Sequence, residues 1–204
     1  MKFFHISDLH LGKRVNEFSM IDDQIDILQK IVVFAKENKP DAVLIAGDVY
    51  DKSMPSVEAV QLLDRFLVWL NDLNITVFMI SGNHDSVERM AFGADLLKHS
   101  NVHIVQSYRG QLTPVAMNDN HGKINVWMLP YLKPTLVRRE FEKQDIITYT
   151  EALAAALSNI ELDPSERNLL VTHQFVTGAE TSESEELYIG GSENVDGSLF
   201  DVFD

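Results

Sequence analysis

The chain has 204 residues, 45% hydrophobic and 24% charged, which suits one globular domain with its own core. Ten glycines and six prolines exclude a collagen-like or low-complexity chain, and the absence of cysteine excludes a disulfide framework, a thiolate metal site and a cysteine nucleophile. The net charge of -14 argues against a protein that coats nucleic acid, but Glu161 to Asp204 carries 11 acidic residues against Arg167 alone, a net of -10, leaving -4 elsewhere. A local basic track in the first three quarters is compatible with that balance.

Asp8 arrives too early for a secretory leader, and no apolar run approaches the ~20 residues of a membrane span. The expectation is a soluble, cytoplasmic protein with no membrane partner. Lys2 to Ser7 reads as a buried strand ending in a loop. Ser19 with Asp22 matches a capping box ahead of a helix carrying Met20, Ile21, Ile25, Leu28, Ile31, Val32 and Ala35, which Asn38 to Pro40 stops. Ala42 to Ala46 is a second strand. Pro55-Ser56 opens a helix with Val57, Val60, Leu63, Leu67 and Leu70 on one face, and Thr76 to Ser81 is a third strand. This alternation predicts right-handed βαβ units around a parallel sheet.

A helix is expected around Ala91 to His99. Strands are expected at Val102 to Val105, Gln111 to Met117 and Lys123 to Leu129, the last two joined by a turn at Asn118 to Gly122, so that this half is antiparallel or mixed. Thr150 to Ile160 reads as a helix and Asn168 to Thr172 as a strand ending at His173. Thr177 to Glu186, polar and acidic without period, reads as a mobile loop.

Four predicted strand ends deliver metal-ligand chemistry: Asp8 with His10, Asp48, Asn83 with His84, and His173. Sites in open α/β sheets assemble in such loops, where rigid strands hold side chains in register. Asp8 and His10, two apart, can project to one side of an extended segment. Asp48 follows Gly47, and its two carboxylate oxygens could bridge two ions. Oxygen and imidazole donors without sulfur favour Mn²⁺, Mg²⁺, Fe or Zn²⁺. Two ions ~3.5 to 4 Å apart would clamp a phosphate and activate a bridging water. His84 is then better used as an acid or charge partner of the leaving group, with Asp51 orienting its ring.

Asp8-x-His10, Gly47-Asp48-x-x-Asp51, Gly82-Asn83-His84-Asp85 and Thr172-His173 stand in the order of the calcineurin-like metallophosphoesterase superfamily, which the chain resembles. Within it, His5 to Gly12, Ala46 to Asp51 and Ser81 to Ser86 look like the branch of SbcD-type nuclease subunits of bacterial SbcCD complexes, which process DNA ends and hairpins. Gly190 to Asp196 extends the likeness. The resemblance implies an α/β metallophosphoesterase sandwich of two mixed β-sheets flanked by helices, four layers in αββα order, over residues 1–204. It implies that Asp8, His10 and Asp48 hold one Mn²⁺ and that Asp48, Asn83 and His173 hold the second. His84 would act in catalysis with Asp51 behind it, and a metal-activated water would hydrolyse phosphodiesters of DNA beside an SbcC-type ATPase subunit. The family's Gly-His-x-His motif, one further ligand for each ion, is not among the 204 residues. The expectation is a C-terminally truncated domain without its capping and partner-docking regions.

The same resemblance implies a homodimer through the helix around Val57 to Leu70, whose Leu62, Phe66 and Trp69 add apolar surface beyond one face. Lys13, Arg14 and Arg89 follow the first and third motifs and are candidate DNA contacts; Lys133, Arg138 and Arg139 form a looser basic cluster. His5 reads as a core or supporting histidine, and His99, His103 and His121 as surface or structural residues. Protein phosphatases of the superfamily typically continue the second motif with Arg-Gly and end the third in Glu. Lys52-Ser53 and Asp85 stand here instead, which disfavours that branch. The alternatives are a nucleotide phosphodiesterase or phosphoprotein phosphatase of the same fold, or a non-catalytic dimerising scaffold.

Overall fold

The computed structural model describes residues 1–141, 145–178 and 193–204. The chain divides into two compact units, residues 1–107 with 171–173, and residues 108–170 with 174–204. In the first unit the order is β1 (Phe3–Ile6), β2 (Arg14–Val15), β3 (Phe18–Ser19), α1 (Ile21–Asn38), β4 (Ala42–Ala46), α2 (Val57–Asp72), β5 (Thr76–Ile80), α3 (Val87–Ala91), α4 (Ala94–Leu97) and β6 (Val102–Val105).

Strands β1, β4, β5 and β6 form one sheet in that order, every pair parallel and in register from Phe3 opposite Ala42 to Ile80 opposite Val105. Each crossover steps in the same direction, so right-handed connections place α1 and α2 on one face. The core shows the consequence: Val43, Ile45, Val77, Met79, Val102 and Ile104 share a cluster with Leu28, Ala35, Leu62, Phe66 and Leu70. The alternate positions Leu44, Phe78 and Ile80 are buried too, so the central strands are apolar on both faces. All four strand carboxyl ends therefore point the same way.

Several expectations change here. Strand β6 is parallel to β5 and joins the first sheet rather than the antiparallel or mixed half expected after it. The Ser19–Asp22 capping box does not form, because Ser19 pairs with Arg14 in a hairpin and the N-cap position is Met20, with no side-chain cap. That hairpin turns at Asn16 and Glu17, both at positive φ, as a two-residue primed turn requires. The helix expected over Ala91 to His99 is broken at Gly93, whose φ of +76° ends one helix and starts the next. His5 is exposed on β1 instead of sitting in the core. On α2, Leu62 and Phe66 are fully buried while Val57, Val60 and Val68 are exposed, so the surplus apolar side faces the core.

The second unit holds β7 (Val115–Asp119), β8 (Gly122–Leu129), α5 (Pro134–Phe141), α6 (Tyr149–Leu157), most of β9 (Arg167–Thr172), β10 (Phe175–Val176) and β11 (Asn194–Val195); the last two residues of β9, Val171 and Thr172, belong with His173 to the first unit. β7 and β8 are antiparallel across a two-residue turn, tighter than the turn expected over Asn118 to Gly122, and β9 completes their sheet. β7 starts four residues later than expected, after Pro114, which cannot donate to a ladder. Thr148 and Glu151 form a full capping box on α6, and Arg138 on α5 donates to the Ile146 carbonyl at 2.6 Å. Trp127, Leu129, Leu132, Val137 and Leu153 centre this unit's own core. From residue 179 the expected mobile loop lies outside the described residues. No helix of the described residues is long and apolar enough to cross a membrane.

Candidate metal centre

Beyond β1 and β4 the chain continues as a second, irregular ladder. Asp8 N–H donates to the Gly47 carbonyl at 3.2 Å, His10 N–H to Asp48 at 3.0 Å and Leu11 N–H to Val49 at 2.9 Å, and Asp51 N–H returns to Leu11 at 3.2 Å. Asp8, His10 and Asp48 have φ of 54°, 41° and 48°. Left-handed backbone at non-glycine residues is strained, and it persists where surrounding bonds over-determine it. Gln24 on α1 supplies part of that restraint: its amide accepts from Gly12 N–H at 2.9 Å and donates to the Leu9 and His10 carbonyls at 3.1 and 2.8 Å.

Asp48, 3% exposed, is the hub. Its Oδ2 lies 3.7 Å from His10 Nε2, 3.6 Å from His173 Nε2 and 3.9 Å from His84 Nε2, and its Oδ1 accepts from His84 N–H at 3.0 Å. Asp8 Oδ1 is 3.8 Å from His10 Nε2. Two donor sets result, His10 with Asp48 and His84, and Asp8 with Asp48 and His173, each with its ligand atoms within 4.8 Å of one another. Asp48 belongs to both.

His173 shows what the cluster needs. Its Nδ1 sits 2.8 Å from the Ala46 carbonyl, which can only accept, so that nitrogen carries the proton. Nε2 then faces Asn83 Oδ1 at 3.1 Å and the Asp48 carboxylate, both acceptors. Such an arrangement is balanced by a second ring proton or by a cation. Electrostatics agree: burial lowers the His173 pKa, but Asp48 beside it raises it further, so the net shift is upward. Asp8 beside His10 likewise raises the His10 pKa against the effect of burial, while the Asp8 carboxyl, with the His10 ring beside it and the Ser7 hydroxyl donating to it at 2.5 Å, falls to about 2. Burial opposes ionisation of Asp48, and His173 with the His84 N–H overrides it, lowering its pKa.

Two glycines make room for this. A Cβ on Gly47, whose φ is +92°, would lie 2.5 Å from His173 Nδ1, and one on Gly82 would lie 2.1 Å from Asp48 Oδ1. The following Asp85 bonds backbone rather than any ring: Oδ1 accepts from Tyr50 N–H at 2.9 Å, and Oδ2 from Val49 and Gly82 N–H at 3.1 and 2.9 Å.

A family model described as calcineurin-like phosphoesterase matches residues 1–197. The chain belongs to that family. Among solved structures, it is similar to a dimetal phosphatase from Danio rerio at 14% identity, with a TM-score of 0.44 over 85% of this chain and 69% of that one. Membership of the calcineurin-like phosphoesterases makes this an α/β metallophosphoesterase fold, with mixed sheets flanked by helices, and a metal-dependent phosphoester hydrolase.

The family's divalent ions fit the donors present: carboxylates and imidazoles, a shared and buried Asp48, and a His173 nitrogen aimed at acceptors only. Asp8, His10, Asp48, Asn83, His84 and His173 are brought together. Asp51 is placed differently from the expectation. Its carboxylate lies 3.7 Å from His10 Nδ1, and it is the Asp51 backbone carbonyl that meets His84 Nδ1, at 3.3 Å. The bond from Asp51 N–H to Leu11 turns the side chain toward the first loop. Lys13 is exposed next to this loop, its N–H bonded to the His10 carbonyl; the Arg14 guanidinium is held by the Glu17 carbonyl; Arg89 is exposed on α3. Sequence reasoning missed Gln24, whose signal is only a polar residue within an apolar helix, and gave Asp85 no task.

Proposed function

We propose that this calcineurin-like phosphoesterase is a two-metal phosphodiesterase that cuts DNA ends and hairpins with Mn²⁺, as the SbcD-type nuclease subunit beside an SbcC-type ATPase, paired with a second copy through α2. The observation that carries the two-metal part is Asp48, buried and common to two sets of donors. The nuclease part is supported by the extended motifs around Asp8, Asp48 and His84 and by exposed Lys13 and Arg89, cations suited to phosphates.

Asp8, His10, Asp48, Asn83 and His173 would hold the ions, which when bound supply positive charge to a phosphoryl oxygen and acidify water. The protein's own part is positional. Asp48, locked by the His84 N–H, presents its second oxygen to the ring nitrogens. His173 is fixed in one tautomer by the Ala46 carbonyl. His84, with Nδ1 on the Asp51 carbonyl and 47% of its side chain exposed, presents Nε2 to the site, and a doubly protonated ring would give its Nε2 proton to the departing oxygen. Ser7 Oγ is committed to Asp8, and the chain has no cysteine, so attack by water rather than a covalent intermediate suits the site.

The test is incubation of end-labelled duplex and hairpin DNA with Mn²⁺, with EDTA and an Asp48→Asn variant as controls and a phosphomonoester in parallel. Cutting of DNA abolished by both controls supports the proposal. Turnover of the phosphomonoester alone would transfer the protein to a phosphatase role.

A further inference from the structure

The loops after β4 and β5 are joined by two carboxylates pointing in opposite directions. Asp48 belongs to the first loop and accepts from the His84 N–H of the second, at 3.0 Å. Asp85 belongs to the second loop and accepts from the Val49 and Tyr50 N–H groups of the first, at 3.1 and 2.9 Å. It also closes its own turn through the Gly82 N–H at 2.9 Å. Neither Asp85 oxygen is given to a side chain of the donor sets. Three charge-assisted bonds to backbone are an expensive use of a half-buried carboxylate, unless the loop geometry itself is what matters.

That geometry is strained on one side. Asp48 has a φ of +48°, and Val49 and Tyr50 are the next two residues, so the Asp85 bonds fall where the chain must recover from the left-handed turn. Left-handed backbone at a non-glycine residue reverts when its restraints are removed.

We infer that Asp85 is a positioning residue which holds Asp48 in its left-handed conformation and so sets the Asp48 carboxylate between the two donor sets. The inference rests on the metal-centre reading above. Asparagine at 85 keeps one acceptor oxygen and turns an N–H₂ toward a backbone N–H; alanine keeps none. The latch then opens from both sides, since a relaxed Asp48 also releases the His84 N–H.

The test compares Asp85→Asn and Asp85→Ala with the parent in two measurements. In metal-free protein, amide hydrogen exchange is read by NMR at Val49, Tyr50, Gly82 and His84, with α2 amides such as Phe66 as the internal reference. The expected result is at least tenfold faster exchange at all four amides, greater for alanine than for asparagine, with α2 unchanged. Faster exchange at His84 is the decisive sign, because Asp85 does not touch that amide. Titration with Mn²⁺ should then show affinity lowered at least tenfold. Unchanged exchange at His84 would overturn the inference, and so would acceleration that α2 shares equally, which marks a merely structural residue. A parent that binds no Mn²⁺ would overturn the metal reading, and the claim that Asp85 serves it, whatever the amides show; Mn²⁺ bound equally by parent and variants would overturn the inference alone.

Discussion

A Cβ on Gly82 would lie 2.1 Å from Asp48 Oδ1 and 2.3 Å from the Asp48 backbone nitrogen. The second contact is to backbone, so no side-chain rotation relieves it. Gly82→Ala must separate the two loops and is expected to lose about 1–3 kcal/mol in urea unfolding, the usual cost of overpacking. It should also abolish any rise in Tm with Mn²⁺. An alanine variant with parental stability and metal response would show that the loops are not closely apposed.

Gln24 restrains the Asp8–His10 loop from outside the motifs, through three bonds to backbone. Gln24→Leu keeps the bulk on α1 but leaves Gly12 N–H and the Leu9 and His10 carbonyls without that partner. A loss of about 1–3 kcal/mol is expected from the unsatisfied groups, measured by chemical denaturation. Mn²⁺ affinity should fall as well, because the Leu9–His10 backbone loses one of its restraints.

On α2 the buried and exposed positions separate two roles. Phe66, fully buried, should cost about 3–5 kcal/mol on truncation to alanine. Val57 and Val60, 68% and 40% exposed, should change stability within about 0.5 kcal/mol when replaced by Glu. If the proposed homodimer uses this helix, the Val57→Glu, Val60→Glu double variant sediments as a monomer while the parent sediments as a dimer. A variant that stays dimeric would place the interface elsewhere.

Asp119 on β7 meets the Arg167 guanidinium of β9 at 2.6 and 3.1 Å, which holds its carboxyl well below the ordinary value of 3.8. A carboxyl depressed in the folded state stabilises above its unfolded pKa and stops doing so as pH falls through the folded one. The stability gap between the parent and Asp119→Asn should thus be full at neutral pH and narrow as pH drops from about 4 toward about 2. Urea midpoints across that range check it; a gap independent of pH would mean that the ion pair contributes nothing.

The parallel half of the fold was legible because each buried strand is an unbroken apolar run bounded by turn residues, as in Ala42 to Ala46 between Pro40 and Gly47. The strand-end motifs were legible for the same reason, since a strand of known end fixes where Asp8, Asp48 and Asn83 emerge. What failed was decided by contacts far away in sequence. Ser19 has the chemistry of a cap but is taken by pairing with Arg14. Leu62 and Phe66 looked like surplus surface because periodicity cannot count the neighbours that cover a helix. Asp51 lies one turn of loop from Asp48, and only the ladder to Leu11 decides that its carboxylate faces His10 rather than His84.

The account turns on Asp48 serving two metal positions, and counting bound Mn²⁺ tests that most directly. Titration followed by electron paramagnetic resonance should give two ions per parent chain, magnetically coupled, and neither ion bound with parental affinity in Asp48→Asn. An Asp48→Asn variant that keeps one ion at parental affinity, or a parent whose two ions show no coupling, would contradict a shared carboxylate at the centre of the site.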